Sequence, residues 1–347
     1  MKLVVVGRGL AAMGLLWNMI KEKKKVDEIY WIGPFLDPKN HPPAHFCSLN
    51  TTALVALQGI KKDLSDLGDC LYEAFFLTRE FIEEYTPAGV QKVDRFHLVS
   101  PGEDNKIRRR FGSLQAPVSI TSSNFRPKSE FFHEEAYIFE PQTFLSWWQD
   151  TILSQLNITL VDDLVTTLDD HQVSTLKGQT YCFDRLALCT GALESDLNLS
   201  QLHKIPKVAV GHYFHFSDIT FVHEGPKESL VLTWKGHNFI YNHSLRTLVW
   251  GGSTYSDGIT AKREKDLKDD LEDFISVYPE LEFTGKKSIR TGVRSKGPKR
   301  APILKWDDQR DILILNGLYK NGWSLSHLIG KKAILEIGFA NLVPNKI

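Results

Sequence analysis

The hydrophobic and polar positions of the first 33 residues change their period twice. Residues 2–7 form a short run of β-branched apolar residues without polar alternation, which indicates a strand covered on both faces in a parallel sheet. Apolar residues then recur at helical spacing, at Met13, Leu16, Trp17 and Ile20. A second apolar run at residues 29–32 predicts the next strand. The opening segment therefore predicts a strand, turn, helix and strand in that order.

The turn between the first strand and the helix carries two glycines. Residues 7–12 (GRGLAA) fit the pattern G-x-G-x-x-A, which is informative because it stands between a strand and a helix. Gly7 is expected to permit the tight turn, Gly9 to let the backbone approach a pyrophosphate, and Ala12 to keep helix and strand close. The first helix amides then face the phosphates. The segment predicts a dinucleotide-binding unit.

One position departs from that pattern. An acidic residue is expected at the end of the second strand, where it would bind the ribose hydroxyls, but Gly33 stands there. Asp27 and Glu28 precede the strand and are poorly placed to substitute. Either other groups hold the ribose, or the cofactor binds more weakly.

Further along the chain, helical periodicity alternates with short extended runs. Apolar spacing predicts helices over residues 64–85, 141–156, 261–278 and 323–339. Short runs separated by turns over residues 93–138 and 207–254 are typical of antiparallel strands, and residues 108–110 (RRR) predict a solvated turn. Residues 183–192 return the chain to the nucleotide-binding sheet. Each domain is therefore predicted to be assembled from discontinuous segments.

Composition narrows the function classes. The 347 residues are 42% hydrophobic and contain 42 basic and 42 acidic side chains, so wholesale nucleic-acid binding is not implied, although local basic patches remain open. The four cysteines are widely spaced without a C-x-x-C pair, which indicates free thiols and no metal site. No apolar stretch approaches a membrane span, and the opening run is too short for a signal peptide. A soluble cytoplasmic protein is expected.

The order of the motifs resembles the glycine oxidase and D-amino-acid oxidase family of FAD-dependent amine oxidoreductases. Five features carry this resemblance along nearly the whole chain. They are GRGLAA at 7–12, the helix after Pro141 leading to the run 161–168, ALCTGA at 187–192, IRTGVR at 289–294, and GLYKNG at 317–322. The last three look like the family's A-T/S-G strand end, its W-x-G-x-R segment and its G-H-Y/F-R-N-G turn. Each feature is weak alone, whereas their order and spacing are specific.

The resemblance implies an α/β fold with a Rossmann-type FAD-binding domain (GR2-like) and an interleaved antiparallel-sheet substrate domain. We assign residues 1–74, 140–206 and 297–347 to the FAD-binding domain, and residues 75–139 and 207–296 to the substrate-binding domain. The small polar residues of the loop at 41–53 are expected to cross the cofactor.

The resemblance also implies the residues that bind FAD. The backbone of Val165 would face the adenine, and the helix after Gly322 would point its positive end at the flavin pyrimidine. FAD is expected to bind without a covalent link, since no cysteine lies near the C-terminal turn. The implied cofactor-binding residues are Gly7, Gly9, Leu10, Ala11, Ala12, Ser48, Thr51, Thr52, Val165, Thr190, Gly191, Gly317, Tyr319, Asn321 and Gly322.

By the same resemblance, three residues are candidates for the catalytic site. Arg294 is expected to bind a substrate carboxylate bidentately, Tyr241 to touch the same carboxylate, and Lys320 to replace an arginine nearby. From the residues alone, Arg294 could equally be a surface arginine of a basic loop and Tyr241 a core residue of a strand. The implied reaction oxidises a C–N bond by hydride transfer to flavin N5, after which water hydrolyses the imine.

Several departures from the family leave the substrate and the function class open. The family's R-P-x-T-x-D-G-x-P run is RSKGPKRAP at 294–302, so basic residues replace its acidic one, and Leu318 replaces a histidine. The substrate is expected to carry more negative charge than glycine or to be larger. Alternatives are an oxidase resembling the FAD domain of tRNA wobble-uridine modification enzymes, suggested by the basic run 286–305, and a flavin-fold binding protein without catalysis. Oxygen as electron acceptor and a homo-oligomer stay open.

Overall fold

The fold is described from a computed structural model of the chain. It covers residues 1–34, 46–57, 60, 62–63, 65–99, 131–169, 171–193, 207–252 and 261–336. The arginines 108–110, residues 100–130 of the region predicted to form antiparallel strands, and residues 41–45 of the loop 41–53 lie outside these residues.

Five helices and seventeen strands make up the described part of the chain. The helices are α1 (Leu10–Lys21), α2 (Asp66–Tyr85), α3 (Pro141–Gln155), α4 (Ala261–Val277) and α5 (Gly322–Glu336). The strands are β1 (Lys2–Val6), β2 (Glu28–Ile32), β3 (Leu54–Ala56), β4 (Val90–Leu98), β5 (Phe131–Phe139), β6 (Ile158–Val161), β7 (Val165–Asp169), β8 (Gln172–Thr175), β9 (Thr180–Cys182), β10 (Arg185–Leu188), β11 (Lys207–Phe221), β12 (Leu230–Trp234), β13 (His237–Asn242), β14 (Thr247–Gly251), β15 (Phe283–Lys296), β16 (Ile303–Asp307) and β17 (Ile312–Asn316).

The opening strand lies in the middle of a six-stranded sheet. Its order is β16-β17-β10-β1-β2-β6, and all neighbours are parallel except β16, which pairs antiparallel with β17 at the edge. Four of the five residues of β1 are buried, as the unalternating apolar run predicts for a sheet covered on both faces. The prediction that residues 183–192 return to this sheet is confirmed, because β10 lies beside β1.

Helices cover one face of this sheet and a small sheet covers the other. The first face packs into a core with α1, α2, α3 and α5. The second core contains Val4, Val6 and Ile314 of the sheet together with Val173 of the three-stranded sheet β7-β8-β9. This layering matches the predicted Rossmann-type, GR2-like fold.

The second sheet has eight strands in the order β15-β11-β14-β13-β12-β4-β5-β3. All neighbours are antiparallel except β12 and β4, which are parallel. Aromatic and leucine side chains of one face pack against α4, through Leu267 and Phe274 among others. The smaller apolar cluster of the opposite face includes Val93, Ala136 and Ile240.

We propose that these two sheets mark the two interleaved domains. The chain crosses between them several times, since β1 and β2, then β6 to β10, then β16 and β17 all lie outside the eight-stranded sheet. One boundary differs from the assignment made on the sequence: β3 lies within residues 1–74, yet it pairs with β5 in the eight-stranded sheet.

Local sequence signals account for where the helices begin. Ser65 caps α2 by accepting a hydrogen bond from the amide of Gly68 at 3.1 Å. Glu140 caps α3 in the same way, with Pro141 at its first position. In contrast, α1 begins after Gly9 without a side-chain cap, so its first amides point to whatever lies in front of the helix.

Candidate active site

A cavity of about 600 Å³ lies at the carboxyl ends of the parallel strands. Its wall is built from the turns that follow β1, β10 and β17, from residues 46–51, from α3, and from Val293, Arg294 and Ser295 near the end of β15. In an open α/β sheet, ligands bind in the crevice beyond the carboxyl ends of the strands. The predicted dinucleotide-binding turn therefore lies at the position where this architecture binds its ligands.

The turn after β1 opens into the cavity. Gly7 has a φ of 105°, and a Cβ atom there would come 2.7 Å from the carbonyl carbon of Cys189. A Cβ atom on Gly9 would meet only the hydroxyl of Ser48, at 3.4 Å, and would otherwise project into the cavity. Ser48 also accepts a 3.4 Å hydrogen bond from the amide of Leu10. Gly7 is thus required by the conformation and packing of the turn, and Gly9 leaves room in the cavity for the close approach of a pyrophosphate.

A second helix also begins at this cavity. Gly322 and Trp323, the first residues of α5, line it, as do Leu318, Tyr319 and Lys320 of the preceding turn. Asn316 fixes that turn, since its side chain donates to the carbonyl of Gly191 at 2.9 Å and accepts from the amide of Gly317 at 2.7 Å. The positive ends of α1 and α5 therefore both face the cavity, which favours anionic or electron-rich groups at two places.

Three polar atoms in the cavity wall have no partner among the described residues. They are the Thr190 hydroxyl, the Ser295 hydroxyl and the Trp323 indole N–H, each buried and without a hydrogen bond in the structure. Buried polar groups are normally hydrogen-bonded, so a polar molecule in the cavity is the natural partner. FAD, with its phosphates, hydroxyls and ring carbonyls, fits this requirement and the two helix ends.

Arg8 fills the space where the ribose-binding acid was expected. A Cβ atom on Gly33 would come 2.7 Å from Cγ of Arg8, whose side chain lines the cavity. The guanidinium donates to the side-chain oxygen of Gln149 and lies 5.7 Å from the ring centre of Trp31. Desolvation lowers the pKa of Arg8 to about 10, although Asp162 acts in the opposite direction. The side chain of Arg8 can therefore occupy this space because Gly33 has no side chain.

Arg294 is buried in the wall of the cavity. It lies on β15 opposite Ala209 of β11 and is 6% exposed. A Cβ atom on Gly211 would come 2.5 Å from Nη1 of Arg294, so the glycine makes room for the guanidinium. Cys47 is hydrogen-bonded to Arg294; burial raises the pKa of the thiol, and the neighbouring guanidinium opposes that rise. The alternative of a surface arginine is wrong, because the side chain points into the molecule.

Lys320 lies at the mouth of the same cavity. Its Nζ donates to the carbonyl of Gly252 at 3.4 Å, and its side chain keeps an exposed face. Desolvation by the surrounding atoms, and then the charges of Arg294 and Arg300, lower the pKa of Lys320 to about 8. The two candidate cations of the sequence are therefore brought together.

The structure does not bring Tyr241 to this site. Tyr241 lies on β13 opposite Leu248 and Leu230, and it packs with Phe221 in the core beneath α4. Neighbouring residues of a strand point to opposite faces of the sheet, and Tyr241 points to the face that α4 covers. The expectation that Tyr241 touches the substrate carboxylate is therefore wrong. Tyr241 is a core residue of its strand, as the alternative interpretation has it.

A different tyrosine lies near the buried arginine. Tyr213 of β11 stands opposite Arg290 of β15, on the face of the sheet that carries Arg294. Burial raises the pKa of Tyr213 to about 12, while a hydrogen bond from Arg290 and the charge of Arg294 act in the opposite direction. No alternation marks Tyr213 within β11, because residues 211–214 are all buried, and the sequence does not show which strand pairs with β15.

The remaining predicted cofactor residues divide into lining and supporting positions. Those that line the cavity are Gly9, Leu10, Ala11, Ser48, Thr51, Thr190, Gly191, Tyr319 and Gly322. Those outside its wall are Gly7, Ala12, Thr52, Val165, Gly317 and Asn321. Ala12 is fully buried in the core, and Val165 begins the three-stranded sheet by pairing with Thr175. The sequence alone did not single out Cys47, Gln149, Ser295 or Trp323, which all line the cavity.

Groups that could hold a metal ion and helices that could cross a membrane are both absent from the described part of the chain. Within it, no group of three or more histidine, cysteine or acidic side chains could hold a metal ion. No helix among the described residues is long and apolar enough to cross a membrane.

Comparison with solved structures supports the fold. The chain is similar to iminodiacetate oxidase from Chelativorans sp. BNC1, with 16% identity over 96% of this chain and 95% of that one and a TM-score of 0.72. It is also similar to L-proline dehydrogenase from P. horikoshii (13% identity, 99% and 95% coverage, TM-score 0.71) and to glycine oxidase from Geobacillus kaustophilus (14%, 98% and 95%, 0.69). At such identities the likeness shows the fold alone.

Sequence comparison supplies the family. No curated protein matches the sequence. The sequence profile of the DAO family, described as FAD dependent oxidoreductase, matches residues 39–334. The opening glycine turn precedes the matched range and completes the same cavity. The chain therefore belongs to the DAO family and is an FAD-dependent oxidoreductase that acts on amines or amino acids.

Proposed function

We propose that this enzyme oxidises the C–N bond of a small amino acid or related amine that carries a carboxylate. The observation that carries the proposal is Arg294, a buried arginine in the wall of the cavity where FAD fits. A guanidinium offers parallel N–H donors that match both oxygens of a carboxylate. The space made by Gly211 and the hydrogen bond with Cys47 hold this group in place before substrate arrives.

The other residues of the cavity are assigned by their surroundings. Gly9 and Ala11 at the start of α1, together with Ser48 of the segment 46–51, would hold the pyrophosphate. Arg8 with Gln149 would take the place of the missing ribose acid. Gly322 and Trp323 would face the flavin pyrimidine, where the positive end of α5 favours electron density. When bound, FAD supplies the hydride acceptor, N5, and the resulting imine is hydrolysed by water.

The lining residues supply few groups for proton transfer. Among the described residues of the cavity wall there is no histidine, and Asp150 of α3 is the one carboxylate. This composition suits a substrate that enters with a neutral amine and so needs no side-chain base. The protein then contributes orientation and electrostatics, which are its main contributions when a cofactor carries the reaction.

The proposal is tested by reducing the bound flavin without oxygen. The purified enzyme is mixed anaerobically with single amines, and loss of the visible flavin band is followed. We expect amino acids with an α-carboxylate to bleach the flavin and the matching amines without a carboxylate to leave it oxidised. Bleaching by both sets alike would contradict the proposed carboxylate site. Readmitting air then shows whether oxygen restores the band or another acceptor is needed.

A further inference from the structure

The cations around the cavity form a series from its interior to its mouth. Arg294 is buried in the wall, Lys320 lies at the mouth, and Arg300 is close enough to Lys320 to lower its pKa. Lys296, which follows on the same strand as Arg294, lies 5.8 Å from the ring of Tyr319, and Lys320 lies 5.9 Å from that ring. Lys320 thus lies near three other basic side chains, those of Arg294, Lys296 and Arg300.

Negative charge is scarce at this end of the cavity. The carboxylate among the lining residues, Asp150, lies on α3 next to Gln149, which pairs with Arg8 at the predicted ribose position. Within the described residues, Lys320 takes part in no ion pair, and its ammonium donates to the carbonyl of Gly252. In contrast, Lys286 at the other end of the basic run is paired with Asp218 at 2.8 Å. Within the part of the chain that the structure describes, no carboxylate therefore pairs with the ammonium of Lys320.

We propose that the substrate carries two carboxylates, of which Arg294 binds the one next to the oxidised carbon and Lys320 binds the other at the mouth. This inference rests on the proposed function and narrows its substrate class. One carboxylate needs one bidentate arginine, so the remaining positive charge at the mouth is available to a second anion. An ammonium on a flexible stem can follow an anion whose position varies, which suits the outer part of a substrate.

The binding of the second carboxylate is expected to depend on pH, because it depends on the charge of Lys320. An anion binds to the protonated ammonium of Lys320, whose pKa in the unliganded site is about 8. Binding of the anion therefore weakens as the pH rises through this value. Among the residues that the structure describes, the groups around Lys320 are Arg294, Arg300, the ring of Tyr319 and the carbonyl of Gly252. The preference for a second carboxylate is therefore expected to fall as Lys320 loses its charge.

Two unreactive ligands that differ by one carboxylate test the proposal. Methoxyacetate and oxydiacetate have the same backbone and no C–N bond to oxidise, and binding of each to the holoenzyme is followed through the flavin spectrum at pH 7. We expect oxydiacetate to bind about 3- to 10-fold more tightly, beyond the statistical factor from its two equivalent ends, as fits a partly exposed ion pair. This preference should fall when the titration is repeated above pH 9.

Three variants separate the role of Lys320 from general charge. Lys320→Met should abolish the preference for oxydiacetate, because it weakens oxydiacetate binding more than methoxyacetate binding, and Lys320→Arg should keep the preference. Lys299→Met removes an exposed lysine of the neighbouring loop that does not line the cavity, and it should keep the preference too.

The outcomes distinguish this inference from the proposed function. Equal binding of the two ligands by the wild type, or an equal loss of both in Lys320→Met, would overturn the second carboxylate site and leave Arg294 in place. If neither ligand perturbs the flavin of a holoenzyme, the carboxylate site at Arg294 fails, and the second site fails with it.

Discussion

At the scale of single residues, Arg8 and Gly33 show how one departure from a family pattern is matched by another. The acid missing at Gly33 is not a simple loss, because the side chain of Arg8 crosses the space where that acid would begin. Arg8 is held there by Gln149 and by the ring of Trp31. The sequence showed the missing acid, but Arg8 looked like a variable position within the glycine motif.

This pairing makes restoration of the acid unfavourable. We expect Gly33→Glu to weaken FAD binding by about 1–3 kcal/mol, roughly 5- to 150-fold, because the new side chain overpacks against Arg8. The dissociation constant is measured by titrating the apoprotein with FAD and following flavin fluorescence. In the double variant Arg8→Ala with Gly33→Glu, the clash is removed and affinity should partly return. Tighter FAD binding by Gly33→Glu alone would refute this account.

Tyr241 and Tyr213 mark the limit of residue-by-residue transfer. The motif placed a tyrosine on a strand of the correct sheet, but the pairing register turns Tyr241 toward α4 and Tyr213 toward Arg290. A shift of one residue moves a side chain to the other face. A short motif in a single sequence does not determine how its strand pairs with the neighbouring strands. The glycine turn, in contrast, determines its own backbone geometry.

At the scale of elements, α1 and α5 approach each other more closely than most helix pairs. A Cβ atom on Gly14 would come 2.7 Å from the carbonyl carbon of Ser326, and Gly330 faces Gly14 in the same way. Asn18 of α1 also donates to the carbonyl of His327 at 3.1 Å. This close packing sets where α5 begins, and therefore where Gly322 and Trp323 meet the cavity.

The close approach of α1 and α5 can be tested with Gly14→Ala, because helix propensity and packing predict opposite effects of this variant on stability. Helix propensity alone favours Gly14→Ala by about 1 kcal/mol. Because the added methyl group meets the backbone of α5, we expect the variant instead to be destabilised by about 1–3 kcal/mol in urea or thermal unfolding. Glu80→Ala on the exposed side of α2 is the control, and it should change stability by less than about 0.5 kcal/mol. Stabilisation of Gly14→Ala would show that the helices are further apart.

The elements missed by the sequence analysis share a cause. Strands β3, β9 and β16 are three to five residues long, and Val55 is the one buried residue among them. Such strands are held by their partners in the sheet, and periodicity does not show partners. Long elements with a continuous apolar face, such as α2 and α3, were predicted within a few residues of their observed bounds.

At the scale of the whole molecule, the site exists because two sheets meet. The turns after β1, β10 and β17 form one part of the wall of the cavity proposed for FAD, and the end of β15 brings Arg294 to this wall from the other sheet. The sequence predicted both contributions and their order along the chain. It could not predict that Cys47, Ser295 and Trp323 complete the wall, because these contacts join segments far apart in the chain.

The measurement that tests the central claim most directly is carboxylate binding by Arg294 variants. We expect Arg294→Lys and Arg294→Ala to keep their FAD and to lose about 2–4 kcal/mol, roughly 30- to 1000-fold, in the affinity for methoxyacetate read from the flavin spectrum. Arg246→Lys, which replaces an arginine outside the cavity, should bind like the wild type. If both Arg294 variants bind the carboxylate as tightly as the wild type, Arg294 is not the anchor and the account is contradicted.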